Sequence, residues 1–528
     1  MRHADQAKRV AALFPAIIFV VVFAMGLQIL PFYAGGVEYG YDPTYVYFFN
    51  GVSLADGFFS GYFDHPGTPL QLLIAAFTST YWYILYLLGI FQQAYGSAVL
   101  KDPEVFLQPL ALLLLLGNCA GIFYLGVKIW HATKSILTTL IAQVSFLLFG
   151  PMLPKLGYVA PEALMTFSVI IIVAGLSPYL FSHEAPQPSQ RTATAIGVFL
   201  ALGITSKPTF APLVLLLLIL PTWRMRALAV AIMLLCVGLL LLPVLPHVPQ
   251  MLNWFTGIVT HSGVYGEGAP QIIQLEAVPH RLYEFWRATP LIYAAIFATV
   301  GVALVSLPTF RNERVTGWQA GVLAAILIGG LGLAIKHFGI RYVVPVLAIA
   351  PVVLAWAVHR ILLRVPDPCT KFIKIAAFAG IAVFAATRIH ADVAEAATFR
   401  RTRDTTLALI DQTLVQYPGA LVIGSYRVRT MHYGMQFGLS YVADKYADYL
   451  VGNRPDALSY NIWNQKIRRS GRWHELTYLN DLIAAGHNVL IVVEHSTRLP
   501  PEIKTEPVLK IPSAEEIYKV MRVETPHK

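Results

Sequence analysis

EYGYDPTYVYFFNGVSLADGFFSGYFDHPGTPL, Glu38 to Leu70, follows the apolar run 11–30 and leads straight into the apolar run 69–91. The first run is long enough to cross a bilayer, since a spanning helix needs about 20 apolar residues. A plain connector has no physical need for this density of Tyr, Asp and Gly, or for the cluster Asp64-His65-Pro66. Ionisable side chains are costly beside hydrocarbon and mark functional sites by default. The stretch reads as the first outer loop, 31–68, of an enzyme working at the non-cytoplasmic membrane face.

The rest of the chain fits that setting. Of 528 residues, 56% are hydrophobic and 13% charged, against about 25% charged in a soluble domain. Apolar runs fall near 11–30, 69–91, 106–127, 135–150, 163–181, 192–204, 208–221, 227–246, 290–309, 318–335, 343–359 and 375–390. Such runs make a polytopic α-helical membrane protein of about 11–13 helices. The net charge of +10 reads first as Lys and Arg in cytoplasmic loops, with anionic lipid as a further attraction and no nucleic-acid partner. Cys119 and Cys236 sit in apolar runs and Cys369 in a basic loop, so the three read as free thiols. Residues 11–30 lack a small-residue cleavage site before Pro31 and read as an uncleaved first span.

Basic loops orient the spans. Arg2, Lys8 and Arg9 put the N-terminus in the cytoplasm. Lys128 and Lys134, Arg224 and Arg226, Arg311 and Arg314, and the set Arg360, Arg364, Lys371 and Lys374 look cytoplasmic as well. The parity closes if 69–91 is re-entrant or lies along the surface. It also requires 192–221 to be two short helices meeting at Thr205-Ser206-Lys207-Pro208. The outer segments are then 31–68, 151–162, 205–208, 247–288, 336–342 and everything after about 391.

Two domains are expected: 1–390 in the membrane and 391–528 as a small α/β domain on the periplasmic side of a bacterial inner membrane. Past residue 391 charge rises and long apolar runs stop. Residues 391–416 have a helical pattern, 420–424 and 488–493 read as buried strands, and Leu476–Ala485 reads as a helix before the second strand. There is no internal repeat of the kind that marks many transporters.

Each charged motif on the outer side has a chemical and a plain structural reading. Asp42 can take a proton from an incoming hydroxyl as a general base; an Asp before Pro also caps a helix well. Its neighbours Tyr41 and Tyr45 can stack on a sugar or anchor at the interface. His65 can donate to a phosphate and Asp64 can orient it or, with Asp42, hold a divalent cation such as Mg or Mn; no metal is otherwise predicted. The alternative is a capped helix start fixed by Pro66 and Pro69. Glu162 follows Pro161 at a helix start, where it also complements the helix dipole. Lys207 sits at the tip between two short helices, where it can meet an anion or snorkel. Lys336, His337, Arg341 and Tyr342 form the strongest basic cluster, suited to a phosphate or pyrophosphate through the guanidinium fork. Interface anchoring is the alternative, but Lys and Arg are disfavoured on the outer face. His261 and Tyr265 lie in a Gly-rich stretch of the loop 247–288, readable as a lid or as an ordinary flexible loop. No Walker A, GxGxxG, zinc spacing or nucleophile elbow occurs. An outer-face enzyme without a nucleotide site would draw on a lipid-linked activated substrate.

In this order the motifs resemble the GT-C superfamily of integral membrane glycosyltransferases, which includes the protein O-mannosyltransferases and the lipid A aminoarabinose transferases. The features are the acidic first loop (Glu38, Asp42), the HPPL-like His65-Pro66-Gly67-Thr68-Pro69-Leu70, Pro161-Glu162, the turn Gly203-Ile204-Thr205-Ser206-Lys207, and Arg341-Tyr342-Val343-Val344-Pro345, similar to RYxxP. The resemblance covers residues 1 to about 390. Two departures stand out: Asp42 is followed by Pro43 rather than a second acid, and Gly-Thr interrupts the HPPL. The resemblance implies a sugar moved from a polyprenyl-phosphate donor to a glycan, lipid or protein acceptor at the bilayer. It implies Asp42 as base and His65, Lys207 and Arg341 at the donor phosphate. With one base and no second carboxylate as nucleophile, the reaction is a single displacement with inversion. A polymerase or ligase using lipid-pyrophosphate substrates, and a lipid or sugar flippase, are the alternatives.

Overall fold

The computed structural model describes residues 2–33, 44–65, 67–148, 152–182, 187–262, 269–306, 314–336 and 339–364. Beyond these it describes chiefly 412–425, 458–461, 465–469, 472–494, 499–510 and 515–524, with scattered positions between. Glu38, Tyr41, Asp42, Tyr265 and His337 lie outside the described residues, as does most of the run 375–390.

Over the described residues, each apolar run from 11–30 to 343–359 is mainly helical. In chain order the helices are α1 (Arg2–Tyr33), α2 (Thr44–Ala55), α3 (Thr68–Leu87), α4 (Tyr95–Lys101), α5 (Glu104–Thr133), α6 (Ile136–Leu148) and α7 (Met152–Lys155). They continue with α8 (Pro161–Phe181), α9 (Gln190–Ser206), a 3-10 helix (Pro208–Ile219), α10 (Trp223–Leu240), α11 (Val248–Thr260), α12 (Val278–Ala288), α13 (Pro290–Ser306), α14 (Arg314–Lys336) and α15 (Val344–Leu362). Among the described residues, α3, α5, α8, α10, α14 and α15 are long and apolar enough to cross a membrane; the pair α12 and α13, bent by 98°, adds a seventh if taken as one span. The chain is therefore a polytopic α-helical membrane protein. At 20 residues α3 meets the length requirement for a span, so the surface placement of 69–91 rests on the charge pattern alone.

By their internal packing the residues fall into two units: 1–30, 63–70 and 111–393 in one, and 31–62, 71–110 and 394–528 in the other. In the first, α9 packs against α8 and α10, and α15 runs beside α6, α8, α13 and α14. Ten of the twelve residues of α2, in the second unit, are buried. The aromatic run Tyr45 to Phe49 leaves little polar face to present to water, and it is covered on all sides. The segment 247–288 differs from the expected loop. It contains α11 and α12, and the backbones of Thr260 to Ser262 and Ala269 to Gln271 pair across its Gly-rich part.

The second unit carries a seven-stranded sheet in the order β4-β3-β2-β1-β5-β7-β6. The strands are β1 (Leu421–Ser425), β2 (Leu458–Asn461), β3 (Lys466–Arg469), β4 (Arg472–His474), β5 (Val489–Glu494), β6 (Ile503–Lys510) and β7 (Glu515–Val523), and α16 (Tyr478–Ala484) precedes β5. β1 lies parallel to β2 and β5, with Leu421 opposite Val489 and Ile423 opposite Ile491. β1 and β5 are almost wholly apolar, as strands covered on both faces must be, and one face of them packs with Leu479 and Leu482 of α16.

Candidate active site

Three turns of the first unit place charged side chains together. Pro208 cannot continue α9 and forces the residue before it into extended backbone. Lys207 accordingly sits at φ −157° and ψ 141°, between α9 and the 3-10 helix. Beyond the break the chain folds back so closely that a Cβ on Gly203 would lie 2.3 Å from the Phe210 ring. Pro161 opens α8 after an extended Ala160 and puts Glu162 in its first turn. Ile340–Tyr342 is a single 3-10 turn ahead of α15, whose first turn carries a proline.

At the centre of these turns, Lys207 Nζ donates to Glu162 Oε1 in an ion pair with both side chains buried. The ammonium also lies 5.5 Å from the centroid of the Tyr342 ring. The Arg341 guanidinium is 5.3 Å from the same ring and donates to the Tyr342 hydroxyl at 3.4 Å. Lys155 and Arg341 lie near enough for their charges to act on Glu162, and Lys155 is 4.5 Å from the Tyr158 ring. Glu162 Oε2 is buried and has no hydrogen-bond partner among the described residues. Three cations and two tyrosines thus gather about one carboxylate. A group of this kind, in low dielectric, interacts strongly with a phosphate.

Lys155 and Asn118 were not singled out in the sequence. Asn118 is a lone amide in the apolar run of α5, and its Nδ2 donates to the carbonyls of Leu156 (2.8 Å) and Ala163 (3.3 Å). It ties both ends of the turn that carries Glu162. The signal for Asn118 was a buried polar residue in a membrane span. For Lys155 it was a cation in the segment 151–162, expected on the outer side against the usual charge bias.

The other candidates stand elsewhere. Lys336 Nζ donates to the carbonyl of Val259 at 2.6 Å, in the last turn of α11. Arg281 donates to the carbonyls of Ile335 (2.6 Å) and Lys336 (3.1 Å). Lys336 therefore joins a tie between α11, α12 and α14. His261 Nδ1 lies 3.3 Å from the Gly257 carbonyl. The His65 ring is 5.3 Å from the Trp254 ring, and Phe63 stacks on His247 at 5.5 Å. Burial pushes the Asp64 carboxyl up to about 6. In the second unit Tyr45 donates to Glu104 Oε1 at 2.6 Å. Among the described residues no group of three or more His, Cys, Asp or Glu is placed to hold a metal, so Asp64 stands in no such set.

No protein-family model and no curated protein matches the sequence. The fold, however, is similar to solved structures over nearly its whole length. The crystal structure of ArnT from Cupriavidus metallidurans bound to undecaprenyl phosphate matches with a TM-score of 0.51 and 13% identity, over 98% of this chain and 99% of that one. The apo crystal structure of the same protein matches with a TM-score of 0.53 and 14% identity, over 99% and 100%. The chain has the GT-C-like fold that the motif order led us to expect.

Proposed function

We propose that the protein is a glycosyltransferase that moves a sugar from a polyprenyl-phosphate carrier to a glycan, lipid or protein acceptor at the periplasmic face of a bacterial inner membrane. On this reading its N-terminus is cytoplasmic and its C-terminal domain periplasmic. The observation that carries the reading is the group of Lys155, Lys207 and Arg341 about Glu162. The likeness in fold to a protein crystallised with undecaprenyl phosphate supports the lipid class.

The acceptor hydroxyl loses its proton to Asp42 and attacks the anomeric carbon. A new C–O bond forms there as the bond to the phosphate oxygen breaks, and the lipid phosphate leaves with the electron pair. Attack opposite the leaving group inverts the anomeric centre. The leaving phosphate gains negative charge, and fixed cations at that point lower the barrier more than they lower the ground state. Lys207 and Arg341 take that role, with Lys155 adding to the field. The Tyr342 ring is near both cations, 5.5 Å from the Lys207 ammonium and 5.3 Å from the Arg341 guanidinium.

The test is Asp42→Asn in the purified protein with an undecaprenyl-phosphate-linked sugar. Loss of a general base typically costs about 10²–10⁴ in rate. Transfer at the wild-type rate would overturn the assignment of the base.

A further inference from the structure

Among the described residues, Gly438, Tyr441 and Tyr446 of the C-terminal part lie against α2 and the loop after it. Gly438 lies so close to α2 that a Cβ there would stand 2.7 Å from Tyr45 Cβ, 2.8 Å from the Tyr45 carbonyl carbon and 2.8 Å from the Phe49 ring. Only a residue without a side chain allows that approach. Three residues on, the Tyr441 ring meets the Tyr62 ring edge-on at 5.5 Å. The Tyr446 hydroxyl donates to Asp56 Oδ2 at 2.8 Å, just past the end of α2. Burial, and then the bond to Asp56, hold the Tyr446 phenol well above its ordinary pKa, so it stays a donor. The far end of the same loop is tied locally: Asn50 Oδ1 accepts from Gly61 N at 2.8 Å and Tyr62 N at 3.2 Å.

The three contacts are spread from the first turn of α2 to the loop beyond its end. We infer that Gly438, Tyr441 and Tyr446 are positioning residues for the transfer reaction: they fix α2, which begins two residues after Asp42 in the sequence. The inference rests on the reading of Asp42 as the base. It makes the C-terminal domain part of the catalytic apparatus rather than an appended module. A helix of twelve residues is marginal on its own, so its placement depends on what packs against it.

The experiment uses the full-length protein in nanodiscs, with Tyr446→Phe and Gly438→Ala. Amide hydrogen exchange is read over residues 44–55 and over 161–181. Tyr446→Phe should speed exchange in 44–55 about fivefold, the effect of one lost buried hydrogen bond, with 161–181 unchanged. Gly438→Ala should do more. Undecaprenyl phosphate binding should stay at its wild-type level in both variants. With an undecaprenyl-phosphate-linked sugar, kcat should fall at least fivefold with KM for the donor little changed, and Asp56→Asn in the Tyr446→Phe background should add almost nothing. Unchanged exchange in 44–55 would overturn the positioning role. Faster exchange with unchanged kcat would overturn its link to catalysis. If Asp42→Asn keeps wild-type transfer, the proposed function fails instead, and the exchange measurement still decides whether 438–446 holds α2.

Discussion

Lys207 and Glu162 are 45 residues apart in sequence and form an ion pair that is 2% and 1% exposed. Both come from helix ends: Lys207 leaves α9, and Glu162 enters α8. The pair is closed by two prolines, Pro208 and Pro161, that decide where those helices stop and start.

Removing one member of a buried pair leaves the other charged and alone, at a cost of about 3–5 kcal/mol. Glu162→Gln and Lys207→Met should each lower thermal stability in detergent by an amount of that order. The double variant Glu162→Met with Lys207→Met should recover most of the stability, since an apolar pair replaces a buried ionic one at little cost. It should not recover sugar transfer. Full activity in the double variant would show that the pair is structural only.

Arg341 offers a planar fork where Lys offers a point charge. Arg341→Ala should lower kcat on the order of a hundredfold, the usual effect of losing one such partner of the developing charge. Arg341→Lys should restore only part of it. Steady-state transfer measured at saturating donor would separate this from a loss of donor binding.

Gly203 is set against the Phe210 ring. Gly203→Ala should overpack the turn that carries Lys207, costing about 1–3 kcal/mol and reducing transfer. Trimming the neighbour, as Phe210→Leu in the same background, should return part of both. Melting curves and initial rates of the single and double variants check this.

Asp64 gives a pH dependence with a definite sign. Its carboxyl has an ordinary value of 3.8 and is raised to about 6 by burial. Between these values the folded state binds the proton that the unfolded state has released, so stability falls as pH rises from about 4 to 6 and is flat above. Asp64→Asn should remove this fall. The variant should match the wild type near pH 4 and be the more stable near pH 7, as read from melting temperatures at the two pH values. An equal difference at both would locate the effect elsewhere.

Much of the fold was legible because hydrocarbon is a demanding solvent: a helix that meets it must show a long apolar run. Strands β1 and β5 were legible for a related reason, since 420–424 and 488–493 are apolar throughout. The outer strands were not. Lys466 to Arg469 in β3 reads as a basic stretch, and only its pairing with β2 and β4 makes it a strand. The helices α11 and α12 were passed over because glycines and prolines near them suggest a loop. At the site, Lys207 could be found from its proline, and Arg341 from the basic cluster it forms ahead of a helix. What the sequence did not carry was pairing. Nothing local tells that Lys207 meets Glu162, that Lys336 is drawn to the Val259 carbonyl, or that Asn118 ties down the turn at 156–163. Each is a long-range contact set by helix packing.

The 3-10 winding of residues 208–219 settles a matter of length. The seventeen residues of α9 rise about 26 Å at 1.5 Å each. The twelve residues of the 3-10 helix rise about 24 Å at 2.0 Å each. A chain five residues shorter on its second leg would, as an α-helix, reach only about 18 Å. Drawn out into the narrower coil, the twelve-residue leg nearly matches the seventeen-residue one in length, with Lys207 at the break between them.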